Sequence, residues 1–162
     1  MKKLYLIRHA KSSWDELEVD DFDRDLNKRG YKNAPMMAKR LKKGCVEPDI
    51  ILSSSAKRAK KTAKMIAEGV GYSEKIVFDD KLYVAMPKVL LKKIKNIKDK
   101  HKTAFLIGHN PELNMLAEEL VGFDDNIVTC GVLEIQFSTK SWDKISADNA
   151  KLISYDYPKK EE

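Results

Sequence analysis

Four short apolar or β-branched runs, at residues 3–7, 50–52, 76–78 and 103–107, are separated by longer stretches whose apolar residues recur at helical spacing. This alternation limits the fold more than any other feature, because strands joined through helices build a parallel sheet covered on its faces. It predicts an α/β domain with a largely parallel sheet. Residues 30–43 read as a helix with Ala34, Met37, Ala38 and Leu41 inward. Ser53-Ser54-Ser55 supplies N-cap hydroxyls for a helix through Glu68, stopped by Gly69 and Gly71. Residues 87–98 place Leu90, Leu91, Ile94 and Ile97 on one buried stripe. Asn110 suits an N-cap and Pro111 a first helical position, for a helix ending near Gly122. Residues 127–137 and 150–155 read as two further strands, an antiparallel addition, and residues 159–162 as a frayed tail. Residues 1–158 then form one domain, which suits a chain of 162 residues.

Charge narrows the function. The chain carries 31 Lys and Arg against 25 Asp and Glu, a net charge of +6 that invites a nucleic-acid reading. The basic residues, however, lie on the outer faces of the amphipathic stretches, and no base-stacking aromatics are interleaved with them. A polyanion-binding module is the rival reading, and nucleic acid is not the expected partner. The segment 15–25 gathers seven acidic residues around Arg24, which reads as a solvated loop. The apolar run at residues 4–7 is ended by Arg8, too short for a signal core or a membrane span, so a cytoplasmic protein with no membrane partner is expected. Cys45 and Cys130 lack metal spacing and read as free thiols in the core.

In open α/β sheets, ligands bind beyond the carboxyl ends of the strands. Three predicted strands deliver polar groups there: Arg8-His9 after the first, Ser53-Ser54-Ser55 with Arg58 after the second, and Gly108-His109-Asn110 after the 103–107 run. Two of the chain's three histidines thus fall on one edge, beside two arginines. Arg forks and helix N-termini match phosphate oxygens. An imidazole facing phosphorus can take the phosphoryl group covalently before water removes it, with guanidinium groups stabilising the charge. No metal and no cofactor are required for that chemistry.

These residues also carry a resemblance. Leu6-Ile7-Arg8-His9-Ala10-Lys11-Ser12-Ser13-Trp14 resembles the opening motif of the histidine phosphatase superfamily, in its phosphoglycerate mutase-like branch. Asp25-Leu26-Asn27-Lys28-Arg29-Gly30, Leu52-Ser53-Ser54-Ser55-Ala56-Lys57-Arg58-Ala59 with Thr62-Ala63, and Gly108-His109-Asn110 look like its later signatures, in order. The short length and the Arg-His-Ala-Lys-Ser opening are most similar to the SixA-type phosphohistidine phosphatases. The resemblance implies a three-layer α/β/α sandwich with a mostly parallel central sheet. It implies His9 as nucleophile, Arg8, Arg58 and His109 as holders of the phosphoryl group, and Ser12 as a lining residue. The implied partner is a phosphorylated protein bearing phosphohistidine, or a small phosphate.

Two departures sharpen the reading. Asp15 stands where larger relatives often have a phosphate-contacting Asn, and a carboxylate would repel the same dianion, so no role is carried to it. Where mutases and phosphomonoesterases of the superfamily place a carboxylic general acid, this chain has Leu82-Tyr83, and Asp79 and Asp80 nearby read as turn residues. General acid catalysis contributes ~10²–10⁴-fold, and its loss matters least for a phosphoramidate. The expected activity is hydrolysis of phosphohistidine through a His9 intermediate, with a broad phosphomonoesterase as the alternative. Little sequence separates residue 78 from the helix near Pro87, so an open mouth is expected, with Trp14 as a packed loop anchor.

Overall fold

Strand β1 (Lys2–Arg8) lies inside the sheet, buried on both faces, which is why its sequence is a continuous apolar run rather than an alternating one. The computed structural model describes residues 1–14 and 19–161. After β1 come α1 (Lys28–Lys43), β2 (Ile50–Ser54), α2 (Lys57–Val70), β3 (Val77–Asp79), α3 (Pro87–Lys95), β4 (Thr103–Gly108), α4 (Glu112–Val121), β5 (Val132–Phe137) and β6 (Ala150–Asp156). The sheet order is β3-β2-β4-β1-β5-β6. The first four strands in that order are parallel, while β5 runs antiparallel to β1 and β6 antiparallel to β5.

Alternate residues of the central strands feed two cores. Leu4, Leu6, Ala104, Leu106, Leu133 and Ile135 pack with Leu90 and Ile94 of α3 and Leu113, Leu116 and Leu120 of α4. Tyr5, Ile7, Ile51, Phe105 and Ile107 pack on the other face with Ala34, Met37, Ala38 and Leu41 of α1 and Ala59, Ala63 and Ile66 of α2. This is the expected three-layer α/β/α sandwich.

Several local expectations are corrected. Ser53 and Ser54 stay in β2, and the residue capping α2 is Ala56, whose N–H bonds to Ser54 Oγ (3.2 Å). Gly69 lies inside α2 rather than ending it. A β-carbon there would come within 2.4 Å of Ala38 Cβ, so the glycine is what lets α1 and α2 touch. Helix α3 ends at Lys95, and β5 begins only at Val132. Pro111 occupies the cap of α4, with Asn110 Oδ1 accepting the Asn114 N–H (3.0 Å). Both thiols are free, but Cys45 is exposed and only Cys130 is in the core. Of the tail expected to fray, residues 159–161 belong to a 3-10 turn, Pro158–Glu161, next to Arg40, whose guanidinium donates to the Tyr157 and Pro158 carbonyls (2.9 and 2.7 Å). Among the described residues no helix is long and apolar enough to cross a membrane.

Candidate active site

The parallel register pairs Arg8 with Gly108, so the next residues, His9 and His109, leave the sheet side by side. The His9 N–H donates to the Gly108 carbonyl (3.1 Å), and the two imidazole rings lie 5.1 Å apart between centroids. The segment leading into β5 closes the far side. Cys130, held in a left-handed conformation (φ 62°), donates its N–H to the carbonyls of both Arg8 and His9 (3.1 and 3.0 Å). Helix α2 is tied in through Thr62, whose hydroxyl donates to the Arg58 carbonyl (2.7 Å) and accepts the Ala10 N–H (3.0 Å). Gly30 lets α1 press against the strand exit. Its Cβ would fall 2.2 Å from the Lys11 carbonyl oxygen.

These contacts fix protonation states. His9 Nδ1 lies 2.8 Å from the Ala10 carbonyl oxygen, which can only accept, so Nδ1 carries the proton and Nε2 keeps its lone pair. Burial, with the charges of His109, Arg58 and Arg8, lowers the His9 pKa to about 3 against the upward pull of the Ala10 bond. His9 is therefore a neutral imidazole at physiological pH, with a free nucleophilic nitrogen. Burial and then Arg58 likewise lower His109 to about 4. His109 Nε2 pairs with the buried hydroxyl of Ser54 (2.8 Å). Ser54 Oγ accepts the Ala56 N–H, and His109 Nε2 is the one acceptor its own proton meets among the described residues; donation there leaves the His109 proton on Nδ1.

Three buried donors at the site, Arg8 Nε, Arg58 Nε and His109 Nδ1, have no hydrogen-bond partner among the described residues. Buried donors left unpaired are costly, and three from three different elements around one imidazole suit an anion that satisfies them together. Both guanidinium groups are gripped from the other end: Arg8 Nη1 donates to the Ile127 carbonyl (3.0 Å) and Arg58 Nη1 to the Asp21 carbonyl (2.6 Å). Arg8, His9, Arg58 and His109, named from sequence, are thus brought together.

Ser12 is buried beside Arg24. Its hydroxyl accepts from Arg24 Nη1 (2.7 Å), which makes it a support for Arg24. Trp14 is exposed, its ring stacked on the Arg24 guanidinium (3.6 Å), and is no packed anchor. Asp15 lies outside the described residues, as do Glu16 and Glu18. In the rest of the acidic segment Asp20, Asp21 and Asp23 are exposed, as expected, but the segment also contacts the site. A 3-10 turn, Asp21–Asp23, reaches the site, where Phe22 meets Tyr83 edge to face (5.0 Å) and Asp21 accepts from Arg58, Arg24 and Tyr83. The mouth is therefore partly roofed. Tyr83 in turn packs edge-on against His109 (5.5 Å). Asp79 caps the following 3-10 turn and pairs with Lys93 (2.9 Å), as a turn residue should. Nothing in the sequence marks Asp21 or Tyr83 as a site residue, and Ser54 is marked only as one of three serines at the strand end. Among the described residues, no three His, Cys, Asp or Glu side chains converge as a metal site needs.

A strand-end histidine with a free ring nitrogen, set beside two arginines and a second histidine, is an arrangement suited to phosphoryl transfer. The family model of the histidine phosphatase superfamily (branch 1) matches residues 4–83, and the chain belongs to that superfamily. An uncharacterized chloroplastic protein of Arabidopsis thaliana is 34% identical over 155 residues, covering 90% of this chain and 71% of that protein. The structure of SixA from Agrobacterium tumefaciens superposes with a TM-score of 0.84 at 27% identity, over 97% of this chain and 98% of that one. The protein histidine phosphatase SixA complexed with tungstate gives 0.82 at 17% identity, over 96% and 97%, a likeness of fold.

Proposed function

We propose that the protein is a phosphohistidine phosphatase, acting without a metal through a covalent phosphoryl group on His9. The observation that carries this reading is the pairing of a neutral His9, its Nε2 lone pair free, with three unpartnered buried donors. The phosphoryl group enters with its oxygens on Arg8 Nε, Arg58 Nε and His109 Nδ1. His9 Nε2 attacks phosphorus in line, a new P–N bond forms as the substrate's P–N bond breaks, and the electron pair departs with the substrate's nitrogen. Water then attacks phosphorus, releases inorganic phosphate and restores neutral His9. The arginine and histidine donors offset charge on the equatorial oxygens, each such donor typically contributing ~3–4 kcal/mol to the barrier reduction.

Tyr83 supports this substrate class. A phenol stands beside His109 at the mouth, and the carboxylate it donates to, Asp21, is held ionised and has no proton to give. Alkyl phosphates, whose alkoxide must be protonated as it leaves, lose the ~10²–10⁴-fold that a general acid supplies, whereas a phosphoramidate gives up less. A half-exposed rim admits a histidine carried on a protein surface in the cytosol. Incubating the protein with a phosphohistidine-bearing protein should release phosphate and leave acid-labile phosphate on His9, with both lost in His9→Ala. Wild-type protein with neither product, or one that turns over phosphoserine faster than phosphohistidine, refutes the assignment.

A further inference from the structure

The mouth holds a charged group to which this mechanism gives no part beyond support of Arg58. In a site for a dianion, a fixed carboxylate at the rim costs affinity by like charge unless it meets a positive group. Asp21 is such a carboxylate. Its Oδ2 accepts from Arg58 Nη2 (3.0 Å) and the Tyr83 hydroxyl (2.5 Å), and its Oδ1 accepts from Arg24 Nε (3.0 Å). Burial pushes its pKa up, but the hydrogen bonds from Tyr83 and Arg58 and the Arg58 charge outweigh that and hold it ionised, well below the usual carboxylate range. A carboxylate offers about four acceptor positions, so one on Oδ1 is left for a further donor. The side chain is 49% exposed, so that donor can arrive from outside.

We infer that Asp21 is a leaving-group residue: its carboxylate accepts the N–H of the far ring nitrogen of the substrate's phosphorylated imidazole. The inference rests on the phosphohistidine reading above. When the P–N bond breaks, the electron pair stays on the ring nitrogen that carried phosphorus. With a proton on the far nitrogen the ring departs as neutral imidazole. Without it the ring must depart as imidazolate, a much poorer leaving group. A carboxylate bonded to the far N–H favours the protonated ring. The proton is then in place before the bond breaks, none has to be delivered to the leaving atom, and no other reactant is needed. A phosphate ester has no such N–H and meets only the repulsion.

The test compares Asp21→Asn with wild type on a phosphohistidine peptide and on p-nitrophenyl phosphate, with inorganic phosphate as competitive inhibitor. Loss of one charge-assisted hydrogen bond should lower kcat/KM on the peptide by ~10–100-fold. On the aryl phosphate, where only the support that Asp21 gives Arg58 is lost, the fall should be at least about tenfold smaller than on the peptide, with phosphate inhibition kept. Asp21→Glu, which keeps the charge, should recover part of the peptide activity. Equal losses on both substrates, or loss of phosphate inhibition in both variants, make Asp21 a mere support for Arg58 and overturn the inference. Wild-type protein inactive on the peptide but active on the aryl phosphate would instead refute the phosphohistidine assignment itself.

Discussion

Ser54→Ala separates the chemistry of His109 from its mere presence. The Ser54 hydroxyl is fully buried, accepts the Ala56 N–H and donates to His109 Nε2. Removing it deprives two buried groups of their partner, and unmade buried hydrogen bonds cost ~1–3 kcal/mol each at most. The variant should still fold, with a lowered denaturation midpoint. The larger effect is on the imidazole. Without the hydroxyl, neutral His109 can place its proton on Nε2, which turns a lone pair rather than a donor toward the phosphoryl oxygens. Deleting a donor to a developing oxyanion outright costs ~10²–10³-fold. Because part of the population keeps the donor tautomer, a fall in kcat/KM of ~10–100-fold is expected, equivalent to ~1.4–2.7 kcal/mol. Steady-state hydrolysis of p-nitrophenyl phosphate gives the first number, and ¹⁵N shifts of the His109 ring give the tautomer. If activity falls while His109 stays protonated at Nδ1, the tautomer argument is wrong and Ser54 only packs.

Stability should also depend on pH in a window set by the two histidines. Their folded pKa values, about 3 and about 4, lie below the unfolded value of 6.5, so between these limits the unfolded chain binds more protons and stability falls as pH falls. Each contributes up to ~1.4 kcal/mol per pH unit. Urea midpoints measured from pH 7 to 4.5 should show that slope, and His9→Asn should flatten it; a slope unchanged by the substitution refutes the assignment. Gly30→Ala forces a methyl against the Lys11 carbonyl oxygen. It should lower stability by ~1–3 kcal/mol and reduce kcat through displacement of the strand exit, read by thermal melting and turnover. A melting temperature equal to wild type would show that the backbone gives way without cost.

The parts of the site legible in sequence are those whose position depends on a single strand. Arg8-His9 and Gly108-His109 follow apolar runs directly, so a correct strand assignment already places them on one edge, and parallel register makes them neighbours. Arg58 follows at one remove, in the first turn of the helix after β2. Asp21 and Tyr83 meet across 62 positions of sequence, and nothing local in either predicts the contact. It depends on how the 3-10 turn Asp21–Asp23 packs, a tertiary outcome that an acidic composition points away from. Ser54 was misread for a related reason. A serine before a helix resembles a cap, yet two more residues of extended strand carry its hydroxyl to His109. Trp14 and Cys45 show the same limit from the apolar side, since hydrophobic character did not bury them.

The anchoring of Arg8 has a consequence for biosynthesis. Arg8, His9 and Arg58 leave the ribosome early, but the carbonyl that orients Arg8 belongs to Ile127 and the N–H that pins the strand exit belongs to Cys130. A nascent chain therefore displays the charge of the phosphate site long before it owns the wall that aims it. The fold makes assembly of this pocket a late event in translation, and truncation ahead of Ile127 yields a fragment with Arg8, His9, Arg58 and His109 but without the carbonyl and the N–H that position the first two.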